Sequence, residues 1–155
     1  MTPVTRAVLV GCGGISRAWL GALKDMPQAQ IVGMVDILPE IAQARADEFG
    51  LQGVAIGADL GEMLAQTKPD AVFNCTIPEA HHDVTLLALR HGCHVLGEKP
   101  LADSMENARR MVAAAAQAKR IFAVIQNRRY DARIRRLRNL VQSGALGPLT
   151  TVNAD

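Results

Sequence analysis

The sequence predicts an α/β fold in which helices cover both faces of a doubly wound parallel sheet. Short apolar runs alternate with helical patterns along nearly all of the 155 residues. Hydrophobic residues make up 49% of the chain and aromatic residues only 3%, a composition that suits strands buried on both faces. Strands that alternate with helices require right-handed crossovers, and such crossovers join parallel strands.

The predicted strands are short apolar runs separated by turn residues. The first run is rich in β-branched residues and stops at Gly11, and the third has the weakest pattern. The last begins after a turn at residues 144–148 and reaches the end of the chain. These runs cover residues 7–10, 30–35, 54–56, 71–75, 94–96, 121–125 and 149–155.

Helical periodicity predicts six helices between these runs. Asp103 and Glu106 are expected to form a capping box for the alanine-rich fifth helix, which ends at Arg120. The other five are predicted over residues 15–26, 39–49, 59–66, 79–90 and 132–142. The last of them is expected to bury an apolar stripe made of Ile134, Leu137, Leu140 and Val141.

Composition argues against several classes of protein. A net charge of +2 does not indicate a nucleic-acid or membrane partner, and the arginines crowded between residues 128 and 138 are interpreted as a solvated helix face. No apolar run is long enough to span a membrane, and no signal peptide is apparent. Three widely spaced cysteines argue against a disulfide framework, so we expect a reducing, cytoplasmic compartment.

A metal site is not expected either. The residues considered as ligands are His81, His82, His91, Cys93 and His94. The segment of residues 91–94 spans a helix end and a strand start, so its side chains should diverge rather than converge on an ion.

The most informative motif is Gly-Cys-Gly-Gly-Ile-Ser at residues 11–16, between the first strand and the first helix. A dinucleotide-binding loop needs glycines at its first two key positions, filled here by Gly11 and Gly13, and a small third residue, here Ser16. Free N–H groups at the following helix start favour a pyrophosphate. The alternative is a merely tight strand–helix turn. The residues expected to contact the cofactor are Gly11, Cys12, Gly13, Gly14 and Ile15.

Cys12 has two further interpretations. It could be redox-sensitive because it lies near a helix N-terminus, or it could simply be a small residue that fills the loop.

Asp36 follows the second strand, about 20 residues after the glycine motif, where a carboxylate can accept hydrogen bonds from ribose hydroxyls. Its charge would repel the 2′-phosphate of NADP, and the neighbouring Ile37 and Leu38 offer no cation to counter that repulsion. The predicted cofactor is therefore NAD, with NADP disfavoured, and Ile37 belongs to the predicted binding site. The alternative is that Asp36 only caps a turn before Pro39.

Two further segments extend the pattern: Thr-Ile-Pro-Glu-Ala-His-His at residues 76–82 and His-Val-Leu-Gly-Glu-Lys-Pro-Leu at residues 94–101. Together with the glycine motif, they resemble the N-terminal domain of the glucose–fructose oxidoreductase/inositol dehydrogenase (Gfo/Idh/MocA) family. The resemblance covers essentially the whole chain, and Gly-Glu-Lys-Pro-Leu is its most specific element.

The resemblance implies an NAD-dependent Rossmann-type dehydrogenase acting on a sugar, polyol or cyclitol. It makes Lys99 the catalytic residue, beside the nicotinamide, and suggests a cis bond before Pro100. A loop that begins at Gln126 would reach the active site. The other cofactor-binding residues that it implies are Thr76, Ile77, Pro78, His82, Glu98, Lys99 itself, Asn127 and Arg129.

The position of Lys99 agrees with that role, because ligands of open α/β sheets bind at the carboxyl ends of the strands. The alternative is a surface lysine that pairs with Glu98.

The resemblance implies a second, mostly antiparallel α+β domain that forms the substrate site, and we expect that domain to be missing here. Residues 1–148 are thus predicted to form the dinucleotide-binding domain, and residues 149–155 the truncated start of the substrate domain. We expect an incomplete, inactive dehydrogenase that could form a homo-oligomer. The alternative function is a stand-alone NAD-binding sensor or regulatory module without catalysis.

Overall fold

The computed structural model describes residues 4–151. They divide into two compact units, one ending at Ile125 and the other beginning at Gln126. The first unit contains one sheet of six strands, all parallel, in the spatial order β3-β2-β1-β4-β5-β6. The strands are β1 (Thr5–Val10), β2 (Ala29–Val35), β3 (Ala55–Gly57), β4 (Ala71–Asn74), β5 (His94–Gly97) and β6 (Phe122–Val124).

Five helices alternate with these strands. They are α1 (Ser16–Leu23), α2 (Pro39–Glu48), α3 (Leu60–Thr67), α4 (Pro78–Arg90) and α5 (Met105–Ala118). The predicted ends differ from these bounds by up to three residues, the largest difference being at α1, which ends at Leu23 rather than residue 26.

The two faces of the sheet form two separate hydrophobic cores because successive side chains of a strand point in opposite directions. In β1, Ala7 and Leu9 pack with Trp19 of α1 and Ala46 of α2. On the opposite face, alternate β1 residues pack with α3, α4 and α5, in a core that includes Val8, Val10, Met63, Leu64, Ala88, Leu89 and Ala115. Helices therefore cover both faces, which confirms the predicted doubly wound α/β fold.

The predicted capping box at Asp103 is wrong by one residue. Ser104 has the extended backbone of an N-cap, and its hydroxyl accepts a hydrogen bond from the Asn107 N–H at 3.2 Å. Asp103 instead accepts from the Asn107 side chain at 2.8 Å. The cap falls on the residue whose backbone is extended, because only from there does a side chain reach the third N–H of the helix.

The second unit contains one helix among its described residues, α6 (Ala132–Gln142), with the predicted bounds. Its predicted burial is wrong: no α6 residue is buried, and Leu137 is 56% exposed. Periodicity identifies residues that share a face, whereas burial requires another element packed on that face. Residues 149–151 form no strand, and the rest of the predicted strand 149–155 lies outside the described residues.

Within residues 4–151, no helix is both long and apolar enough to cross a membrane.

Candidate functional site

The carboxyl ends of β1, β2, β4 and β5 meet at one edge of the sheet. The strand order reverses between β1 and β4, which is the switch point where open α/β sheets bind ligands. Three segments follow β1, β4 and β5. The glycine loop is residues 11–16, the Thr76 loop is residues 75–77, and the Lys99 loop is residues 98–101.

Gly11 occupies a position that admits no other residue without strain. Its φ of +85° is in the region that favours glycine. A Cβ atom here would lie 2.7 Å from both the carbonyl carbon and the carbonyl oxygen of Cys75. The glycine loop and the Thr76 loop therefore pack backbone against backbone.

The next part of the loop presents hydrogen-bond donors. The N–H groups of Gly13, Gly14 and Ile15 donate to no oxygen among the described residues. A Cβ atom at Gly13 or Gly14 would meet no heavy atom within 4 Å, so there is room beside the backbone. Because these groups precede the start of α1, they can bind an anion. Ser16 is fully buried, and its hydroxyl donates to the Gly13 carbonyl at 2.6 Å, which explains the small third residue.

Asp36 connects the end of β2 to the glycine loop. Its Oδ2 accepts from the Cys12 N–H at 2.8 Å, and its Oδ1 accepts from the Leu38 N–H at 3.1 Å. The alternative in which Asp36 only caps a turn therefore accounts for Oδ1 but not for Oδ2. A carboxylate oxygen has two lone pairs, so both oxygens can still accept from a ribose hydroxyl. Ile37, the next residue, is 88% exposed.

Arg45 of α2 is a site residue that the sequence interpretation missed. Its guanidinium is buried and donates to the Cys12 carbonyl at 3.2 Å and to the Gly13 carbonyl at 3.3 Å. It also donates to the Ser16 hydroxyl at 3.1 Å and pairs with Glu48. Through these bonds Arg45 fixes the main chain of the glycine loop to α2. The available signal was an arginine on the same helix face as Ala42 and Ala46.

Burial makes the thiols of Cys12 and Cys75 unreactive. Burial, reinforced by the Asp36 charge, raises the pKa of Cys12 to about 12. Burial also raises the pKa of Cys75, with a smaller contribution from Glu98. Both thiols stay protonated at neutral pH, which favours the filler interpretation of Cys12 over the redox one. The Cys12 N–H and carbonyl are already bonded to Asp36 and Arg45, so a direct polar contact with a cofactor stays a prediction.

In the Lys99 loop, one side chain is anchored and the next is exposed. Glu98 is buried and accepts from Trp19 Nε1 at 2.8 Å and from the Lys99 N–H at 3.2 Å. The Lys99 side chain is exposed, and among the described residues it forms no ion pair with any carboxylate. The alternative of a Lys99–Glu98 pair is therefore wrong. The Lys99–Pro100 peptide bond is cis, as the resemblance implies.

The Thr76 loop is tied down by a buried asparagine. Asn74 accepts from the Thr76 hydroxyl at 2.6 Å and donates to the His81 carbonyl at 3.2 Å. Ile77 is the exposed N-cap of α4, and Pro78 is the first residue of that helix.

His82 of α4 is buried, with its Nδ1 2.7 Å from Asp83 Oδ1. Its buried Nε2 has no hydrogen-bond partner among the described residues.

Two predicted site residues lie in the second unit. Asn127 and Arg129 belong to the segment before α6, where the Arg129 N–H donates to the Gln126 carbonyl at 3.0 Å. Their contact with a cofactor stays a prediction.

Two of the residues considered for a metal have other partners. His94 Nδ1 accepts from the Ile121 N–H at 2.9 Å, and Cys93 Sγ lies 3.4 Å from the Pro69 carbonyl. Within residues 4–151, no three His, Cys, Asp or Glu side chains are grouped to hold an ion.

Comparison with known proteins now identifies the family. The Gfo/Idh/MocA family, described as an oxidoreductase family with an NAD-binding Rossmann fold, matches residues 5–126. The chain belongs to this family. It is 35% identical over 140 residues to a 1,5-anhydro-D-fructose reductase of Ensifer adhaerens, an alignment covering 90% of the chain and 41% of that enzyme. It is 31% identical over 153 residues to an inositol 2-dehydrogenase/D-chiro-inositol 3-dehydrogenase of Lacticaseibacillus casei, covering 97% and 44%.

Solved structures share the fold. The WlbA dehydrogenase from Bordetella pertussis, in complex with NADH and UDP-GlcNAcA, matches with a TM-score of 0.82 and 31% identity, over 94% of the chain and 41% of WlbA. The 3-ketoreductase KijD10 from Actinomadura kijaniata, solved with NADP, matches in fold with a TM-score of 0.84 at 23% identity, over 95% and 46%. The chain thus spans less than half the length of these proteins.

Proposed function

We propose that residues 1–148 form the dinucleotide-binding domain of an NAD-dependent dehydrogenase that acts on a sugar, polyol or cyclitol hydroxyl. The observation that carries the proposal is the row of N–H groups at Gly13, Gly14 and Ile15, which donate to no oxygen among residues 4–151, with the Asp36 carboxylate beside it. These groups lie at the switch point of the sheet. The inositol dehydrogenase and the anhydrofructose reductase named above support the substrate class.

The residues present fit a dinucleotide. The three N–H groups would hold the pyrophosphate, because the start of α1 adds a partial positive charge to them. Asp36 would accept hydrogen bonds from the ribose hydroxyls and would repel a 2′-phosphate. The exposed Ile37 and Leu38 beside it carry no charge that could compensate such a phosphate, so NAD is preferred over NADP.

Lys99 would take up the proton of the substrate hydroxyl in the reaction. When bound, the nicotinamide supplies the hydride acceptor. The Lys99 ammonium, exposed at the carboxyl edge and unneutralised by Glu98, can hydrogen-bond the substrate oxygen, and its amine form can accept the hydroxyl proton. Glu98 would keep the backbone of Lys99 in place through its bond to the Lys99 N–H.

The first test is a fluorescence titration of the purified chain with NADH and NADPH in parallel. We expect NADH to bind about tenfold more tightly, a difference of roughly 1.4 kcal/mol. Asp36→Asn keeps the shape of the side chain but removes its charge, so it should largely abolish this preference.

The matched control is Asp59→Asn, because Asp59 caps α3, where its side chain accepts a hydrogen bond of 2.8 Å from the Glu62 N–H and forms none with the glycine loop. It should leave the preference unchanged. Equal affinities for NADH and NADPH in the unmodified chain, or an unchanged preference in Asp36→Asn, would contradict the role of Asp36. If neither nucleotide bound, the proposed function would be wrong for this chain.

A second test concerns catalysis by the chain alone. We expect the 155 residues to bind NADH yet show no turnover of NAD with myo-inositol or glucose, because they span less than half the length of the enzymes that they match. Turnover by the chain would contradict the expectation that residues outside it are required.

A further inference from the structure

Arg45 is the buried cation of α2, with 7% of its side chain exposed. Its guanidinium donates to the carbonyl oxygens of Cys12 and Gly13. It also shares the Glu48 carboxylate with Arg17, so that two cations and one anion leave this group of three side chains with a net charge of +1. A guanidinium keeps its proton in proteins, so the charge of Arg45 does not depend on its surroundings.

Each carbonyl group that Arg45 binds belongs to a peptide group that also carries one of the free N–H groups. The Cys12 carbonyl shares a peptide group with the Gly13 N–H, and the Gly13 carbonyl shares one with the Gly14 N–H. Both peptide bonds are trans, so the carbonyl and the N–H of each group point in opposite directions. Arg45 therefore bonds the carbonyl ends of two groups whose N–H ends donate to no oxygen among residues 4–151.

A cation at the carbonyl end of a peptide group strengthens the hydrogen bond that its N–H end can donate. Hydrogen bonds in a chain polarise one another, and a buried charge is screened by water and salt much less than an exposed one. The N–H groups of Gly13 and Gly14 should therefore bind an anion more strongly than the start of α1 would by itself.

The Asp36 carboxylate opposes an anion at the same loop. It accepts from the Cys12 N–H at 2.8 Å, directly before the Gly13 N–H in the chain, so its charge repels an anion bound there. Arg45 bonds the carbonyl of that same Cys12 and acts with the opposite sign. The Cys12 thiol responds to both charges: burial is the main cause of its raised pKa, Asp36 raises this pKa further, and Arg45 lowers it.

We propose that Arg45 supplies positive charge to the glycine loop and acts on a bound phosphate through two peptide groups rather than by contact. It is a positioning residue whose charge matters in addition to its bonds, because it offsets the repulsion from Asp36. Glu48 reduces that charge. The identity of the phosphate as the pyrophosphate of NADH rests on the proposed function, whereas the effect of Arg45 on anion binding does not.

Substitution of Glu48 separates the charge of Arg45 from its role in holding the main chain. Glu48→Gln keeps an oxygen that can accept from Arg45 but removes the negative charge that offsets it. We expect this variant to bind pyrophosphate about two- to threefold more tightly than the unmodified chain. If Arg45 only held the main chain, a weaker pair with residue 48 would leave the affinity unchanged or lower it. Glu48 is exposed, so the fold should tolerate the change.

The probe is inorganic pyrophosphate, added to the ¹⁵N-labelled chain at constant ionic strength because salt screens charge. Nuclear magnetic resonance follows the backbone amides, and we expect those of Gly13 and Gly14 to shift most. Arg45→Met should bind pyrophosphate about five- to tenfold more weakly.

The matched control is Asp47→Asn, which removes one exposed carboxylate at the neighbouring position of the same helix. The Asp47 side chain accepts from Gln43 Nε2 at 2.8 Å and forms no ion pair with Arg45. Its substitution changes the net charge of the chain by the same amount as Glu48→Gln. We expect a smaller gain in pyrophosphate affinity from it.

Unchanged or weaker pyrophosphate binding in Glu48→Gln, or a gain no larger than that of Asp47→Asn, would overturn the proposal. So would a folded Arg45→Met variant that binds pyrophosphate as well as the unmodified chain, or an unmodified chain in which pyrophosphate shifts neither glycine amide. If the unmodified chain binds pyrophosphate but not NADH, the proposed function is wrong, while the comparison of Glu48→Gln with Asp47→Asn still decides the role of Arg45.

Discussion

The glycine loop and the Lys99 loop lie at the same edge of the sheet but present their chemistry differently. The glycine loop offers backbone N–H groups, and its main chain is fixed by Asp36 and Arg45. The Lys99 loop offers one exposed charged side chain on a backbone anchored by Glu98. Backbone donors can move only if the loop moves, whereas a lysine ammonium can follow its substrate. Substitutions of residues that hold the glycine loop should therefore weaken NADH binding. Substitutions of residues that hold the Lys99 loop should lower the free energy of unfolding and change NADH binding less.

The largest effect is expected from Gly11→Ala. The added methyl group would lie 2.7 Å from the Cys75 carbonyl and would require a strained φ of +85°. We expect the free energy of unfolding to fall by about 2–5 kcal/mol, and NADH binding to weaken by about 100-fold or more. Urea denaturation and fluorescence titration measure the two quantities.

Gly14→Ala is the control for this substitution, since its Cβ would meet no heavy atom within 4 Å and its φ is not positive. Its stability should change by less than about 0.5 kcal/mol. If Gly11→Ala were as mild as this control, the close packing of the two loops would be refuted.

Arg45→Met tests whether the hydrogen bonds from Arg45 hold the main chain of the glycine loop. The variant keeps an unbranched stem but leaves the carbonyls of Cys12 and Gly13 without their donor. We expect unfolding free energy to fall by about 1–3 kcal/mol and NADH affinity to fall by about five- to tenfold. Arg17→Met is the matched control, because the exposed Arg17 side chain pairs with the same Glu48, with Nε 2.8 Å from Oε1. Equal losses of affinity in both variants would assign the effect to Glu48 rather than to the loop.

Trp19→Phe makes the corresponding test at the Lys99 loop. Phenylalanine keeps an aromatic ring against Phe73, whose centroid lies 5.4 Å from that of Trp19, but removes the donor to the buried Glu98. Unfolding free energy should fall by about 1–3 kcal/mol, while NADH affinity should change by less than about threefold. A double-mutant cycle with Glu98→Gln measures the coupling. A larger loss of binding than in Arg45→Met would reverse the comparison between the loops.

The smallest effect concerns the thiols under the site. Because burial raises the pKa of Cys12 from 9.0 to about 12, its stabilising contribution is complete well below pH 9 and is lost progressively as pH rises from about 9 to about 12. Between pH 8 and pH 10 the loss should be about 1 kcal/mol for this thiol. Urea midpoints at both values, compared between the unmodified chain and Cys12→Ala, isolate it. The same decline in both would exclude Cys12 as its source.

Much of the fold and part of the site follow from local sequence. Strand and helix periods, Gly11, and the Glu-Lys-Pro segment depend on residues close together in the chain, so their patterns predict the sheet, the glycine loop and the position of Lys99. Asp36 is predictable for the same reason, because a residue directly after a parallel strand lies at the carboxyl edge.

Tertiary packing alone decided which distant side chains meet. Trp19 and Glu98 are 79 residues apart, and Arg45 lies 33 residues from the Cys12 carbonyl that it bonds. His81 contacts the carbonyl oxygens of Thr76 and Pro100, which belong to two loops that follow different strands. The apolar stripe of α6 marks a face, yet Leu137 on it is exposed. Periodicity is a property of one segment, whereas burial and hydrogen-bond partners belong to pairs of segments whose contact the sequence pattern does not encode.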